Sequence, residues 1–191
     1  MAAFYTESDY ENAIIELFGN TLGYECVCGY DIDHNVKSPL YDTVLEESVF
    51  RINKGKPYDA IQNALLTLRN FENGTLVQKN AVFTDYLQNG ISARYTENGE
   101  ERSALIYLID WDNIENNAFI CANQWTFIEN SNRRPDILLF INGLPLVLIE
   151  LKSPSRENTD ASEGYTQIRN YMHEIPSMFY YNQICVMSDQ L

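Results

Sequence analysis

Three charged residues stand in a stretch whose apolar character should exclude them. Arg134-Pro135-Asp136 leads into Ile137-Leu138-Leu139-Phe140-Ile141, Asn142-Gly143 is a turn dipeptide, and Leu144 to Ile149 runs apolar again into Glu150-Leu151-Lys152. Two apolar runs joined by Asn-Gly read as a β-hairpin from the interior of a sheet, where charge is costly. Asp136 opens the first strand, and Glu150 and Lys152 close the second, two residues apart and so on one face. Two carboxylates that meet repel each other unless a cation lies between them. A hard divalent ion such as Mg²⁺ suits, since it takes oxygen ligands from one or two carboxylates and fills its other positions with water and substrate phosphate. Lys152 would then orient or help deprotonate an attacking water while the metal stabilises charge on the phosphate. The chemistry indicated is metal-dependent phosphodiester hydrolysis.

Whether the three residues meet depends on register. A two-residue Asn142-Gly143 loop pairs Ile141 with Leu144, sets Asp136 opposite Ile149 and turns Glu150 to the other face. A three-residue loop pairs Ile141 with Pro145 and brings Asp136 across from Glu150, with Cβ atoms ~5 Å apart. Joint action therefore predicts the longer loop or a bulge near Pro145, which has no ladder donor. An E-x-K at a strand end is by itself often an exposed ion pair. The preceding Pro-Asp, the apolar strands and the hairpin spacing are what point further.

The surrounding pattern predicts the elements that hold the hairpin. Ser8-Asp9-Tyr10-Glu11 fits a capping box, followed by a first helix with Ile14, Ile15, Leu17 and Phe18 on its apolar face, ending between Gly19 and Gly23. Glu11 thus has a sufficient structural role, and equally sits where the opening helix of a nuclease core could supply a third acid, with Glu7 and Glu16 as further candidates. Tyr24–Tyr30 is a short strand or extended link. Helices are expected at about 42–53, 58–71 and 76–88, the last ended by Asn89-Gly90. From Ile91 the period changes to two: a hairpin over 91–96 and 104–110, a strand at about 118–128, and then the central hairpin. A polar loop follows Lys152, then a helix over about 159–174 that places Gln167 and Tyr171 four residues apart on one face, and a last strand at 182–187. Helices followed by strands predict an α/β or α+β domain with one mixed central sheet flanked by helices, residues 1–90 mainly helical and 91–191 carrying the sheet.

Composition narrows the setting. The chain has 191 residues, 45% of them hydrophobic, enough for one well-buried domain. A net charge of −14 and a pI near 4.4 are wrong for a stand-alone nucleic-acid binder, so a nucleic-acid substrate would need most of its affinity from elsewhere. The start has no basic region or long apolar core, and no apolar run approaches the ~20 residues of a membrane helix, so a cytoplasmic protein is expected. Cys26, Cys28, Cys121 and Cys185 show no C-x-x-C spacing and read as free thiols of a reducing compartment. His34 and His173 are isolated. Ser188-Asp189-Gln190-Leu191 reads as the entry to more protein.

The segment Arg134 to Lys152 resembles the nuclease motif of the restriction (R) subunit of type I restriction–modification enzymes, a branch of the PD-(D/E)xK superfamily. Asn117 through Gln124-Trp125-Thr126, Gln167-x-x-x-Tyr171, Ile175-Pro176 and Val186-Met187-Ser188-Asp189 are similar to that subunit's amino-terminal segment. The resemblance implies a restriction-endonuclease-like core that binds Mg²⁺ through Asp136, Glu150, the backbone carbonyl of Leu151 and Glu11. It makes Asp136, Glu150 and Lys152 the catalytic residues, and Gln167 and Tyr171 a motif that holds DNA. It also implies double-stranded DNA as substrate, partnership with methyltransferase (M) and specificity (S) subunits, and ATP-driven motor domains beyond this chain. Gly55-Lys56 lacks both the upstream glycine and the following Ser or Thr of a P-loop, so ATP is not expected to bind here. Two other readings fit the same residues: a repair or recombination nuclease of the same superfamily, and an inactive nuclease-like interaction module.

Overall fold

The computed structural model describes residues 6–152 and 161–188. In chain order these form α1 (Glu7–Glu16), a short π-helical turn (Leu17–Thr21), β1 (Glu25–Cys28), α2 (Asp42–Ile52), α3 (Tyr58–Arg69) and α4 (Leu76–Asn89). There follow β2 (Ile91–Glu97), β3 (Glu100–Ile106), β4 (Phe119–Asn123), β5 (Phe127–Ile128), β6 (Asn132–Arg133), β7 (Ile137–Ile141) and β8 (Leu144–Leu151), then α5 (Ala161–Glu174), α6 (Met178–Tyr181) and β9 (Ile184–Ser188). The expected polar loop after Lys152 falls on residues 153–160, outside the described residues.

The central sheet has the order β1-β4-β7-β8-β9. Its outer pairs, β1 with β4 and β8 with β9, are parallel, and its inner pairs are antiparallel. The inner strands are apolar on both faces because both are covered. Ile120, Ala122, Leu138, Phe140 and Leu148 face Ile168 and Tyr171 of α5, Ile175 just after it, and α6. Cys121, Ile137, Leu139, Ile149 and Leu151 face Tyr10, Ile14 and Ile15 of α1 and Phe18 of the π-helical turn. This is the mixed α/β architecture, a central sheet flanked by helices, that the residue pattern predicts.

Two details depart from expectation. The β2–β3 hairpin does not join the central sheet but forms a two-stranded sheet of its own. Its strands alternate: Ile91, Ala93 and Ile106 bury against α3 residues such as Ile61 and Leu65, while the intervening residues face water. A half-polar strand suits a one-sided layer, and only a doubly apolar strand suits the covered centre. At the amino end, the capping box is Thr6–Asp9 rather than Ser8–Glu11: Thr6 Oγ1 accepts from the Asp9 amide at 3.2 Å, and Asp9 Oδ2 accepts from the Thr6 amide at 2.9 Å. Hydroxyl-x-x-acid occurs twice in overlapping registers. The earlier one lengthens the helix; Tyr10 and Ile14, with Phe18 of the following turn, are partly buried at i, i+4 and i+8, and Leu17 is exposed. Glu11 is thereby relieved of any capping role.

The hairpin tip sets the register. Asn142 (φ 52°) and Gly143 (φ 78°) form the two-residue turn with left-handed backbone at both positions. Asn142 is fully buried; its Oδ1 accepts from the Ala118 amide at 2.7 Å, and its Nδ2 donates to the Leu108 carbonyl at 2.9 Å and to Asn117 Oδ1 at 2.7 Å. A Cβ on Gly143 would lie 2.6 Å from both the Leu45 amide nitrogen and the Tyr41 carbonyl oxygen of the α2 start. From this pinned turn Ile141 pairs with Leu144 and Phe140 with Pro145, and then the register slips so that Leu139 pairs with Val147. Leu146 is the extra residue of a β-bulge beside Pro145, one of the two alternatives the sequence left open. With Ile137 opposite Ile149, the next step sets Asp136 across from Glu150.

Candidate active site

The pairing brings one row of residues to a single end of the sheet. Asn123 on β4 pairs with Ile137, which pairs with Ile149 on β8, which pairs with Val186 on β9. Asp136 and Glu150 stand just beyond that row. Asp136 Oδ2 accepts a hydrogen bond from the Leu151 amide at 2.7 Å, which ties the start of β7 to the end of β8. Lys152 is fixed at the same place, its own amide donating to the Ser188 carbonyl at 2.9 Å.

Glu150 is the most constrained of these groups. It is 1% exposed, and its Oε1 accepts from Lys152 Nζ at 3.0 Å while Oε2 has no hydrogen-bond partner. Burial pushes its pKa up to about 7, the negative charge of Asp136 pushes the same way, and Lys152 pulls it back. Lys152 is the positive charge at 3.0 Å from a buried carboxylate that faces a second carboxylate and keeps one orphaned oxygen, so the pair is short of positive charge. A hard cation would supply it.

Lys152 is held from two sides: its ammonium also donates to Gln167 Oε1 at 2.7 Å. Because an ammonium cannot accept, the Gln167 amide is oriented, and its Nε2 donates to the Tyr171 hydroxyl at 2.8 Å. Tyr171 is 4% exposed, and burial raises its pKa, with the Glu150 charge second. The same hydroxyl lies near enough to Glu150 to favour that carboxylate's charged form, without a hydrogen bond to Oε2. The structure thus joins Glu150, Lys152, Gln167 and Tyr171 in one polar chain beside Asp136. Gln167 and Tyr171 point into this chain.

Glu11 lies at the adjoining strand end. Its Oε1 accepts from Asn123 Nδ2 at 2.8 Å and from Gln124 Nε2 at 3.1 Å. The residue before it, Tyr10, reaches the far side of the row, its hydroxyl 2.6 Å from Ser188 Oγ. Consecutive residues of α1 therefore grip β4 and β9 across the site-bearing strands. Among the described residues no three His, Cys, Asp or Glu side chains gather as a metal cluster, so Glu11 does not join Asp136 and Glu150 in one. Glu16 is exposed on α1, and the side chain of Glu7 lies outside the described residues. Asn123 and Gln124 as holders of Glu11 were not foreseen: two consecutive amides in a strand carry no spacing signal.

The four cysteines are free, and burial pushes the Cys121 thiol up to about 12, far from a reactive thiolate. His34 stacks on Trp125 with ring centres 4.0 Å apart and bonds the Ile32 and Thr126 carbonyls. Among the described residues no helix is long and apolar enough to cross a membrane.

Residues 4–191 match the family described as Type I restriction enzyme R protein N terminus (HSDR_N). The chain is 32% identical over 193 residues to the Type I restriction enzyme HindI endonuclease subunit of Haemophilus influenzae, covering 96% of this chain and 18% of that protein. It is 32% identical over 191 residues to the MjaIXP endonuclease subunit of Methanocaldococcus jannaschii, covering 95% and 18%. With the Type I restriction enzyme SauCOLORF180P endonuclease subunit of Staphylococcus aureus the identity is 26% over 193 residues, covering 98% and 19%. The chain spans about a fifth of the length of these curated relatives. Matched along nearly its whole length, the chain belongs to the family of type I restriction enzyme R protein N-terminal regions.

Proposed function

We propose that this chain is the Mg²⁺-dependent endonuclease part of a type I restriction enzyme R subunit, hydrolysing phosphodiester bonds of double-stranded DNA. The observation that carries the reading is the buried Glu150, with its unpartnered Oε2, set across from Asp136 and beside Lys152. A hard divalent cation fits this oxygen donor set, with Asp136, Glu150 and the Leu151 carbonyl as ligands and Glu11, which does not gather with the two carboxylates, contributing through water. When bound, Mg²⁺ would supply Lewis-acid stabilisation of charge on the phosphate.

The chain's own residues do the rest. Asp136 holds the ends of β7 and β8 together through the Leu151 amide, so the two carboxylates keep their spacing. Lys152, with its ammonium anchored by Gln167, orients the attacking water and balances negative charge as the bond breaks. Tyr171 holds Gln167 in the orientation that presents its oxygen to the lysine. The paired Gln167 and Tyr171 would also lie beside the DNA strand brought to the site.

A domain with a net charge of −14 binds DNA weakly by itself. Delivery of DNA would fall to M and S subunits and to ATP-driven motor domains elsewhere in the R subunit. The test is Asp136→Ala in the complete enzyme. It is expected to abolish cleavage while the circular dichroism spectrum and assembly stay unchanged; cleavage at the normal rate contradicts the proposal.

A further inference from the structure

Three non-glycine residues among those described have a left-handed backbone: Asn98, Gln124 and Asn142. Asn98 and Asn142 each precede a glycine in a hairpin turn, where asparagine is well tolerated. Gln124 (φ 54°) follows neither pattern. It ends β4, where the sequence predicts an unbroken strand.

The bend redirects side chains. Along β4, Ile120 and Ala122 face the α5 side and Cys121 faces the α1 side. Strict alternation would send Asn123 to the α1 side, Gln124 to the α5 side and Trp125 back to the α1 side. Instead Asn123 and Gln124 both reach Glu11 on α1, and Trp125 turns into the α5-side core against Phe140. A left-handed residue at 124 is what allows two consecutive amides to converge on one carboxylate oxygen.

The surroundings enforce the bend. Trp125 is fully buried, its ring 4.0 Å from His34, 5.0 Å from Tyr41 and 4.8 Å from Phe140. The Gly29 amide donates to the Asn123 carbonyl at 2.8 Å. The backbone also packs so tightly on Gly29 that a Cβ there would lie 2.6 Å from the Gln124 carbonyl oxygen. Backbone strain that its neighbours over-determine concentrates at functional sites.

We infer that the strained Gln124, with Asn123, is a positioning device that holds Glu11 at the carboxylate-bearing end of the sheet, so that Glu11 can serve the cation site. The inference rests on reading Glu11 as an acid of that site. Its advantage over a flexible acid is orientation: both amides take Oε1, and Oε2 makes no hydrogen bond with a described residue. Partners that orient a ligand govern affinity nearly as strongly as the ligand itself.

The test compares Mn²⁺ binding by calorimetry and thermal unfolding for the wild-type chain, Gln124→Gly and Glu11→Gln. Glycine adopts the left-handed bend without steric cost and deletes the amide. Gln124→Gly is expected to weaken Mn²⁺ binding about tenfold with an unfolding midpoint equal to or above wild type. Glu11→Gln is expected to weaken binding at least as much. Wild-type affinity in Glu11→Gln, or no Mn²⁺ binding by the wild type, overturns the reading of Glu11 on which the inference stands. Weakened binding in Glu11→Gln with wild-type affinity in Gln124→Gly overturns the positioning role alone. A lowered midpoint together with weaker binding in Gln124→Gly makes Gln124 a structural residue and also overturns it.

Discussion

Glu150 carries an electrostatic cost that folding imposes and a cation would relieve. Its pKa rises from an ordinary 4.5 to about 7 because the carboxylate is buried and faces Asp136. The folded chain thus holds this proton to higher pH than the unfolded chain. The resulting stability is fully present below about pH 4.5 and is lost as pH rises through about 7. Glu150→Gln keeps the shape and removes the titration. In chelator-treated samples, wild type is expected to lose on the order of 2–3 kcal/mol relative to Glu150→Gln between those limits. Urea unfolding at several pH values measures this, and parallel pH profiles would show that the carboxylate is not strained. Asp136, Glu150 and Lys152 were legible in the sequence because charge inside apolar strands is conspicuous. Glu11 was half legible, since a cap and an acid turned to a strand end look alike in one dimension. The amides that hold it were not legible, because their convergence depends on one left-handed residue that breaks strand alternation.

Hairpin register decides whether the residues can cooperate, and at the scale of elements the turn and the bulge decide the register. The sequence offered either a longer loop or a bulge near Pro145. The two-residue turn won because Asn142 is held by Leu108, Asn117 and Ala118 and Gly143 is packed under the start of α2, which leaves the slip to Leu146, past the proline without a ladder donor. Gly143→Ala combines left-handed strain with collision against the α2 backbone and is expected to cost about 3 kcal/mol. Gly99→Ala, in the β2–β3 turn, has the same sign of φ (83°) but nothing within 4 Å of the added Cβ. It should cost about 1 kcal/mol. Urea titrations of the two variants separate these cases, and equal costs would show that the α2 contact does not pin the turn. Helices α2 to α4 were readable from their periodicity to within about two residues. That the β2–β3 hairpin stands apart was readable only in hindsight, since its half-polar strands do not themselves exclude a sheet edge.

Across the whole molecule, an acidic chain presents a carboxylate-lined sheet end, an arrangement suited to holding a cation and poorly suited to gripping DNA unaided. The chain spans about a fifth of the length of these relatives. The central claim is that Asp136 and Glu150 form one preorganised cation site, and calorimetric titration of the metal-free chain with Mg²⁺, wild type against Glu150→Ala, tests it most directly. Saturable binding to the wild type that disappears in Glu150→Ala is the expected result. Binding of undiminished affinity in Glu150→Ala, or none to either protein, would contradict it.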